Sequence, residues 1–373
     1  LLMAFDFTVR KEVNDCLPYI QGETIDDVKE RYNLSKVIKL GSNENPYGPF
    51  SHALAAMKDS LVTLNRYPEN DFINLKKLLA KKNDVQLENI ILGSGAGNVL
   101  EILAKTFLNT GDEVIIAKQS YRLYREVSKI MGAKVIEIPL TEDYQFDLSK
   151  FLSVITSKTK LIWLCNPNNP TSTLTDKHAI NKFVEKLPSH VQLIIDEAYA
   201  DFSNSDARPD VIDYVKNGKK VIIVRTFSKY YGLAGARMGY AIANKDTVQA
   251  YDTVTEPFSA SRIALAGSYA SMTLDKEEVA VSRQKIIEQR DKLTVELEKL
   301  GCKTAKSQAN FIFTQIPFEA TWFCDEMMKR GVIIRDCTPW NYPYHVRITI
   351  GTPAENETFL KTFCSLLEEK KVK

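Results

Sequence analysis

Residues 224–240 read VRTFSKYYGLAGARMGY, and the interpretation of the whole sequence starts from them. A run of strand-forming residues ends at Phe227, and Ser228 and Lys229 follow directly. Arg237 comes after a glycine-containing turn. Most lysines are solvated surface charges, so Lys229 alone indicates little. A lysine at the end of a buried strand indicates a functional site only if neighbouring strands also end in groups that could bind the same ligand.

Composition bounds the class of protein. The chain has 373 residues, 44% of them hydrophobic, and a formal net charge of +2. That is enough for a large core, and it supplies no basic excess for nucleic acid or anionic lipid. No apolar run approaches a membrane span. The six scattered cysteines and four histidines form no CxxC or HExxH pattern, so we expect a cytoplasmic protein without a metal site.

Strands and helices alternate from about residue 90. Continuous apolar runs predict strands at NIILGSG, DEVIIA, AKVIEIP, KLIWLC, VQLIIDEAY and KVIIVRTF. Because these runs do not alternate with polar residues, both sheet faces should be covered by helices, which is typical of a mostly parallel, doubly wound α/β sheet. We expect residues 41–250 to form this large domain.

The pattern changes after about residue 250. Residues 275–301 predict one long amphipathic helix that stops at Gly301, with an apolar stripe at Val279, Ile286, Leu293, Leu297 and Leu300. Short strands follow at NFIFTQI, GVIIRD and HVRITIG. We expect residues 251–373, joined by residues 1–40, to form a smaller α+β domain.

Ligands of open α/β sheets bind outside the carboxyl ends of the strands, so the candidate site residues are those that directly follow each predicted strand, here called strand exits. The stretch LGSGAGN, residues 92–98, can offer glycine backbone and helix N–H groups to a phosphate. Tyr121 can lie flat against an aromatic ligand, and Asn169 in CNPNNPTS can offer its amide. For each of these a purely structural role stays open.

Two further exits carry charged groups. Asp196 ends an apolar strand, where a carboxylate is costly without a partner, and Tyr199 follows it. Lys229 can form a Schiff base with an aldehyde, and Thr226, Ser228 and Arg237 can bind phosphate. A Schiff-base lysine together with a carboxylate for a ring nitrogen indicates pyridoxal 5′-phosphate.

Several blocks of the sequence resemble one known family. SNENPYGP, RYP, CNPNNPT, DEAYADF, RTFSKYYGLAGARMGY, NF and RITIGT occur in order between Ser42 and Thr352. They are similar to the signature blocks of histidinol-phosphate aminotransferases, which are fold-type-I enzymes dependent on pyridoxal phosphate. The resemblance implies a transaminase that acts on L-histidinol phosphate and 2-oxoglutarate in histidine biosynthesis. Three positions depart from the family pattern: Gly97-Asn98, Ser172 and the pair Tyr230-Tyr231.

The resemblance also implies residue roles. Lys229 would hold the cofactor and move the proton, with Asp196 at the ring nitrogen. The other cofactor ligands would be Tyr199, Asn169, Tyr121, Thr226, Ser228, Arg237 and the backbone of Ala96 and Gly97. Tyr67 would reach the cofactor of a second subunit, which implies a homodimer with shared active sites. The substrate would be held by Tyr19, Asn45, Arg335 and Arg347.

Two other activities remain open on the same scaffold. One is an aromatic-amino-acid aminotransferase, because an imidazole ring and a phenyl ring are similar in size. The other is a decarboxylase that uses the same cofactor, and Arg347, which suits a carboxylate-bearing amino acceptor, argues against it.

Overall fold

The computed structural model describes residues 8–372 apart from residues 17, 19–21, 204, 205 and 207. The strands in this part of the chain are β1 (Ile38–Lys39), β2 (Ile90–Gly93), β3 (Glu113–Ala117), β4 (Lys134–Ile138), β5 (Thr159–Cys165), β6 (Gln192–Asp196), β7 (Val221–Thr226), β8 (Gly239–Ile242), β9 (Lys303–Thr304), β10 (Phe311–Gln315), β11 (Val332–Ile333), β12 (Arg335–Asp336) and β13 (His345–Thr349).

The α-helices of the described residues are α1 (Ile25–Tyr32), α2 (Ser51–Ser60), α3 (Glu69–Asn83), α4 (Ala96–Phe107), α5 (Leu123–Ile130), α6 (Leu148–Ser153), α7 (Lys177–Lys186), α8 (Ile212–Lys216), α9 (Lys245–Val254), α10 (Arg262–Thr273), α11 (Lys276–Lys299), α12 (Ala320–Lys329) and α13 (Pro353–Val372). None of these helices combines the length and the apolar character that crossing a membrane requires.

Seven strands form the main sheet in the order β2-β8-β7-β6-β5-β3-β4. Pairing is parallel from β7 through β6, β5 and β3 to β4, and only β8 runs against its two neighbours. The prediction of a mostly parallel sheet is confirmed. The reversed strand β8 escaped sequence analysis because its short apolar run follows the turn after Lys229 without an intervening helix.

Both faces of the main sheet are buried, as the continuous apolar runs predict. Leu161 and Trp163 of β5 pack into one cluster with residues of α4, α5 and α9. Ile162 and Leu164 of the same strand pack into the opposite cluster with residues of α3, α6, α7 and α10. Successive side chains of a strand point to opposite faces, so one run of apolar residues supplies both layers.

A second sheet has the order β12-β13-β10-β9 and is antiparallel. It packs against α11, α12 and α13, and the predicted stripe of α11 lies in the core at Ile286, Leu293 and Leu297. β1 pairs in parallel with β11, which places residues 38 and 39 among the C-terminal strands. The exact boundaries of the two domains, 41–250 against the rest, stay a prediction.

The loop after β5 contains a residue in a conformation that favours glycine. Ser172 has φ 60°, is fully buried, and its hydroxyl makes no hydrogen bond within the described part of the chain. Its backbone is fixed, because its N–H donates to the Asn168 carbonyl and its carbonyl accepts from Gln308. Left-handed backbone costs a residue with a Cβ about 1–2 kcal/mol.

Ser172→Gly should therefore be more stable than Ser172→Ala by about 1 kcal/mol, measured by urea unfolding. Both variants remove the buried hydroxyl, so their difference isolates the backbone conformation. Equal stabilities would show that Ser172 is not strained.

Candidate active site

A cavity of about 300 Å³ opens where the parallel strands end. Twelve of the residues predicted from the sequence line it: Ala96, Gly97, Tyr121, Asn169, Asp196, Tyr199, Thr226, Ser228, Lys229, Arg237, Arg335 and Arg347. The first ten come from the exits of the main sheet, and the last two come from β12 and β13. The two sheets therefore face each other across one cavity.

Lys229 lies just beyond the end of β7 and is half-buried. Its ammonium donates a hydrogen bond to the carbonyl of Ser42 over 3.1 Å. Burial lowers the pKa of Lys229 to about 8, and the nearby Arg347 guanidinium acts in the same direction. A pKa of about 8 leaves roughly a tenth of this lysine as a neutral amine at pH 7, far more than for an ordinary lysine, and a nucleophile or base requires that form.

Asp196 is the last residue of β6 and is buried, with 4% of its surface exposed. One carboxylate oxygen accepts a hydrogen bond from the Ala198 N–H at 3.0 Å, and the other accepts from the Tyr124 hydroxyl at 2.8 Å. Burial raises the pKa of Asp196 to about 6, and these two donors oppose the rise because they favour the ionised form. The carboxylate is thus ionised at neutral pH, and its two hydrogen-bond donors fix its orientation.

A chain of hydrogen bonds joins the main sheet to β13. The Tyr199 hydroxyl accepts from the side-chain amides of Asn43 at 3.2 Å and Asn169 at 3.4 Å. Asn169 in turn accepts from the Arg347 guanidinium at 2.6 Å, and Arg347 also donates to the carbonyl of Gly41. Burial raises the pKa of Tyr199, which keeps its phenol protonated and able to donate to a ligand.

Another group of residues on the cavity wall is suited to an anion. α4 begins there at Ala96, and the first N–H groups of a helix have no partner within the helix. Gly95 has φ 88°, a backbone conformation that favours glycine, and a Cβ at this position would displace the Arg237 guanidinium. Thr226 and Ser228 add hydroxyls beside Arg237. Backbone N–H groups, hydroxyls and a guanidinium together form a typical phosphate site.

The second sheet provides a cationic wall. Arg335 and Arg347 are direct partners across the antiparallel pair β12–β13, so their side chains lie side by side. Trp340 anchors this wall to the main sheet, because its indole N–H donates to the Ser120 carbonyl at 2.7 Å. The neighbouring Asp336 carboxylate accepts from the Thr321 hydroxyl and the Thr338 N–H.

Two of the predicted residues that the structure describes, Asn45 and Tyr67, do not line the cavity. Tyr19 lies outside the described residues. Asn45 is buried behind the wall, where its amide bonds the Tyr230 carbonyl, Ser282 and the Tyr47 N–H. Tyr67 is 72% exposed and stacks on Phe258.

Three residues of the site are not among those predicted from the sequence. Arg122 lines the cavity, Asn43 holds Tyr199, and Tyr124 holds Asp196. Arg122 adjoins the predicted Tyr121, and Asn43 lies in the SNENPYGP block, so a signal existed for both. Tyr124 gave none, because an aromatic residue on a helix facing a sheet normally predicts packing alone. Its ring does pack, stacked on Trp163 at 5.4 Å.

Comparisons with known proteins agree with this geometry. Residues 35–363 match the aminotransferase class I and II family. A histidinol-phosphate aminotransferase of Moorella thermoacetica is 36% identical over 96% of this chain and 92% of its own length. One from Caldicellulosiruptor saccharolyticus is 34% identical over 96% of this chain and 99% of its own. The chain belongs to the aminotransferase class I and II family.

Solved structures give the same result. The histidinol-phosphate aminotransferase of Sinorhizobium meliloti, crystallised in complex with pyridoxal-5′-phosphate, superposes with a TM-score of 0.87. It is 25% identical in sequence, and the match covers 97% of this chain and 99% of that one. The predicted fold-type-I architecture is therefore confirmed.

Tyr124→Phe tests how Asp196 is kept ionised. The lost hydrogen bond stabilises the carboxylate more than the neutral acid, so the variant should have a higher Asp196 pKa. In the ligand-free protein the loss of unfolding free energy should be about 1.5–3 kcal/mol at pH 8 and smaller at pH 4.5, below the Asp196 pKa of about 6. Urea unfolding at the two pH values measures the difference.

Tyr251→Phe is the matched control. It removes the same hydroxyl from another buried tyrosine, on α9, which does not line the cavity. Its effect should be equal at both pH values. A Tyr124→Phe loss that is also independent of pH would show that the tyrosine serves packing only.

Proposed function

We propose that this chain is a pyridoxal-5′-phosphate-dependent aminotransferase that transfers the amino group of L-histidinol phosphate to 2-oxoglutarate. The products are imidazole acetol phosphate and L-glutamate, and the reaction belongs to histidine biosynthesis. One observation carries the proposal: the half-buried amine of Lys229 shares a cavity with the buried carboxylate of Asp196 and an anion site. Relatives that are similar over nearly the whole chain are named histidinol-phosphate aminotransferases.

The cavity wall offers partners for both the phosphate and the ring of the cofactor. The N–H groups of Ala96 and Gly97, with Thr226, Ser228 and Arg237, supply donors for a phosphate. Asp196 lines the same cavity with both carboxylate oxygens already oriented, which suits a protonated ring nitrogen. Tyr121 also lines it and can stack on the ring. Tyr199 and Asn169 can donate to the ring oxygen.

Lys229 performs the proton transfer. When bound, the cofactor supplies an aldehyde carbon that exchanges amines and a cationic ring that takes up electrons from the reacting carbon. Lys229 is the residue that would hold this aldehyde. Its amine, whose pKa burial lowers, would also accept the proton from the substrate carbon and return it.

The second sheet selects the substrates. Four guanidiniums, those of Arg122, Arg237, Arg335 and Arg347, line the cavity with Lys229, whereas Asp196 and Asp336 are its carboxylates. This excess of positive charge favours dianionic substrates. We assign Arg347, held rigidly between Asn169 and Gly41, to the carboxylate of 2-oxoglutarate or glutamate. Arg335, with Tyr19, is assigned to the phosphate of the amino donor.

We also propose a homodimer with shared active sites. Large hydrophobic side chains are exposed around Tyr67 on α2, α3, α10 and the adjoining loops: Leu54, Leu61, Val62, Leu64, Ile73, Phe258 and Tyr269. Several exposed large hydrophobic side chains on elements that pack together, as α10 does with α2 and α3, are typical of a protein interface. Tyr67 lies among these side chains and does not line the cavity of its own subunit, so the active site it can serve is that of a second subunit.

A cytoplasmic location is proposed from the thiols. All six cysteines are free, and four of them are buried. Disulfides form in oxidising compartments, so six unpaired cysteines are consistent with a reducing one.

Lys229→Ala should abolish the visible absorption band that the cofactor acquires on reaction with the lysine. Turnover should fall by about 10²- to 10⁴-fold or more, because the proton-transfer group is lost. Lys118→Ala is the control, since Lys118 also follows a strand but does not line the cavity. Wild-type turnover in Lys229→Ala would disprove the proposed mechanism.

Arg335→Ala should lower kcat/KM for histidinol phosphate more than for phenylalanine, and the difference should correspond to roughly 2–3 kcal/mol of transition-state binding. Arg347→Ala should impair both half-reactions, because Arg347 is assigned to the carboxylate of 2-oxoglutarate in one and lies beside Arg335, at the proposed phosphate position, in the other. The ratio of kcat/KM values for the two amino donors measures the effect. Equal losses in Arg335→Ala would favour the aromatic-amino-acid aminotransferase.

Tyr67 should act on the partner's site. Tyr67→Ala and Lys229→Ala are each expected to be inactive, but mixed dimers contain one site with both intact residues. Activity should return after subunit exchange, up to about one site in four at equal mixing if pairing is random. Exchange shown by native mass spectrometry without any recovery would contradict the shared site.

A further inference from the structure

A second cavity of about 390 Å³ lies on the other side of the segment that follows Lys229. Its walls come from α3, the end of α10, the start of α11 and two tyrosines: Leu78, Lys81, Lys82, Ser271, Met272, Lys276, Val279, Tyr230 and Tyr231. None of these residues lines the catalytic cavity. Its volume falls within the range of about 300–1,000 Å³ that small-molecule sites occupy.

The charge on this cavity has one sign. Lys81, Lys82 and Lys276 line it, and no carboxylate of the described residues does. The Lys82 ammonium donates to the Tyr231 hydroxyl at 2.5 Å and lies 5.2 Å from the centre of its ring. Asp275, beside Lys276 in the chain, is engaged elsewhere, because its carboxylate accepts from the backbone N–H groups of His52 and Ala53.

The remaining wall is largely apolar. Leu78, Met272 and Val279 contribute aliphatic and thioether surface, and the ring of Tyr231 is 95% buried beside them. The Ser271 hydroxyl is buried and makes no hydrogen bond within the described part of the chain. Three ammonium groups over an apolar base would attract a ligand that is charged at one end and apolar at the other.

We propose that this second cavity binds a small organic anion with an apolar ring or chain. The carboxylate, sulfonate or phosphate head would lie among Lys81, Lys82 and Lys276. The apolar body would replace water against Leu78, Met272 and Val279. Inorganic anions lack the body and uncharged aromatics lack the head, so neither satisfies both halves of the cavity.

The site is separate from the catalytic cavity but connected to it. Tyr230 and Tyr231 directly follow Lys229, and the Tyr230 carbonyl accepts from the Asn45 amide behind the catalytic wall. The same two tyrosines are a departure from the resemblance found in the sequence, and the transamination mechanism uses neither. The proposal rests on this cavity alone and stands whichever amino donor the enzyme uses.

The test uses the holoenzyme with saturating histidinol phosphate to fill the catalytic cavity. 1-Anilinonaphthalene-8-sulfonate serves as the fluorescent anionic probe, and N-phenyl-1-naphthylamine is its uncharged analogue. The sulfonate should bind at about one site per chain with a rise in fluorescence, and the uncharged probe should bind much more weakly. The double variant Lys82→Gln/Lys276→Gln should weaken sulfonate binding by about tenfold or more.

Lys77→Gln/Lys292→Gln is the matched control. It removes two exposed lysines from the same helices, α3 and α11, but neither residue lines the cavity. Affinity should be unchanged in this variant. Equal affinity in the two double variants, or no saturable binding near one site per chain, would overturn the proposal.

Discussion

The parallel pairing of β5, β6 and β7 decides where the chemistry takes place. Parallel neighbours bring their carboxyl ends to one edge of the sheet, so Asn169, Asp196 and Lys229 meet although they are far apart in sequence. The reversed strand β8 then turns the chain back beside β7, which brings Arg237 to the same edge. The second sheet only has to close the open side of this edge.

Burial has opposite consequences for the two charged groups at the centre of the cavity. It lowers the pKa of Lys229 to about 8 and raises the pKa of Asp196 to about 6, in each case toward the neutral form. Proton transfer requires the neutral amine, so the lowered pKa of Lys229 favours its proposed function. The aspartate must stay ionised, and the hydroxyl of Tyr124 and the N–H of Ala198 provide that correction. Burial therefore favours the function of Lys229, whereas hydrogen bonds must offset its effect on Asp196.

Much of this could be predicted from the sequence for physical reasons. Continuous apolar runs identified strands buried on both faces, and polar residues just beyond such runs are costly unless they meet partners. That reasoning brought Asp196, Asn169 and Lys229 into one site. It could not identify Tyr124, whose contact with Asp196 depends on the angle at which α5 crosses the sheet. The family resemblance placed Asn45 near substrate, whereas the structure uses this amide behind the cavity wall.

The central claim is that the cavity accepts a phosphorylated amino donor, and a single half-reaction tests it most directly. The holoenzyme is mixed with L-histidinol phosphate or with L-phenylalanine in the absence of 2-oxoglutarate, and the visible band of the bound cofactor is followed. We expect histidinol phosphate to discharge the band at lower concentration and faster than phenylalanine. Discharge by phenylalanine at an equal or greater rate would contradict the claim.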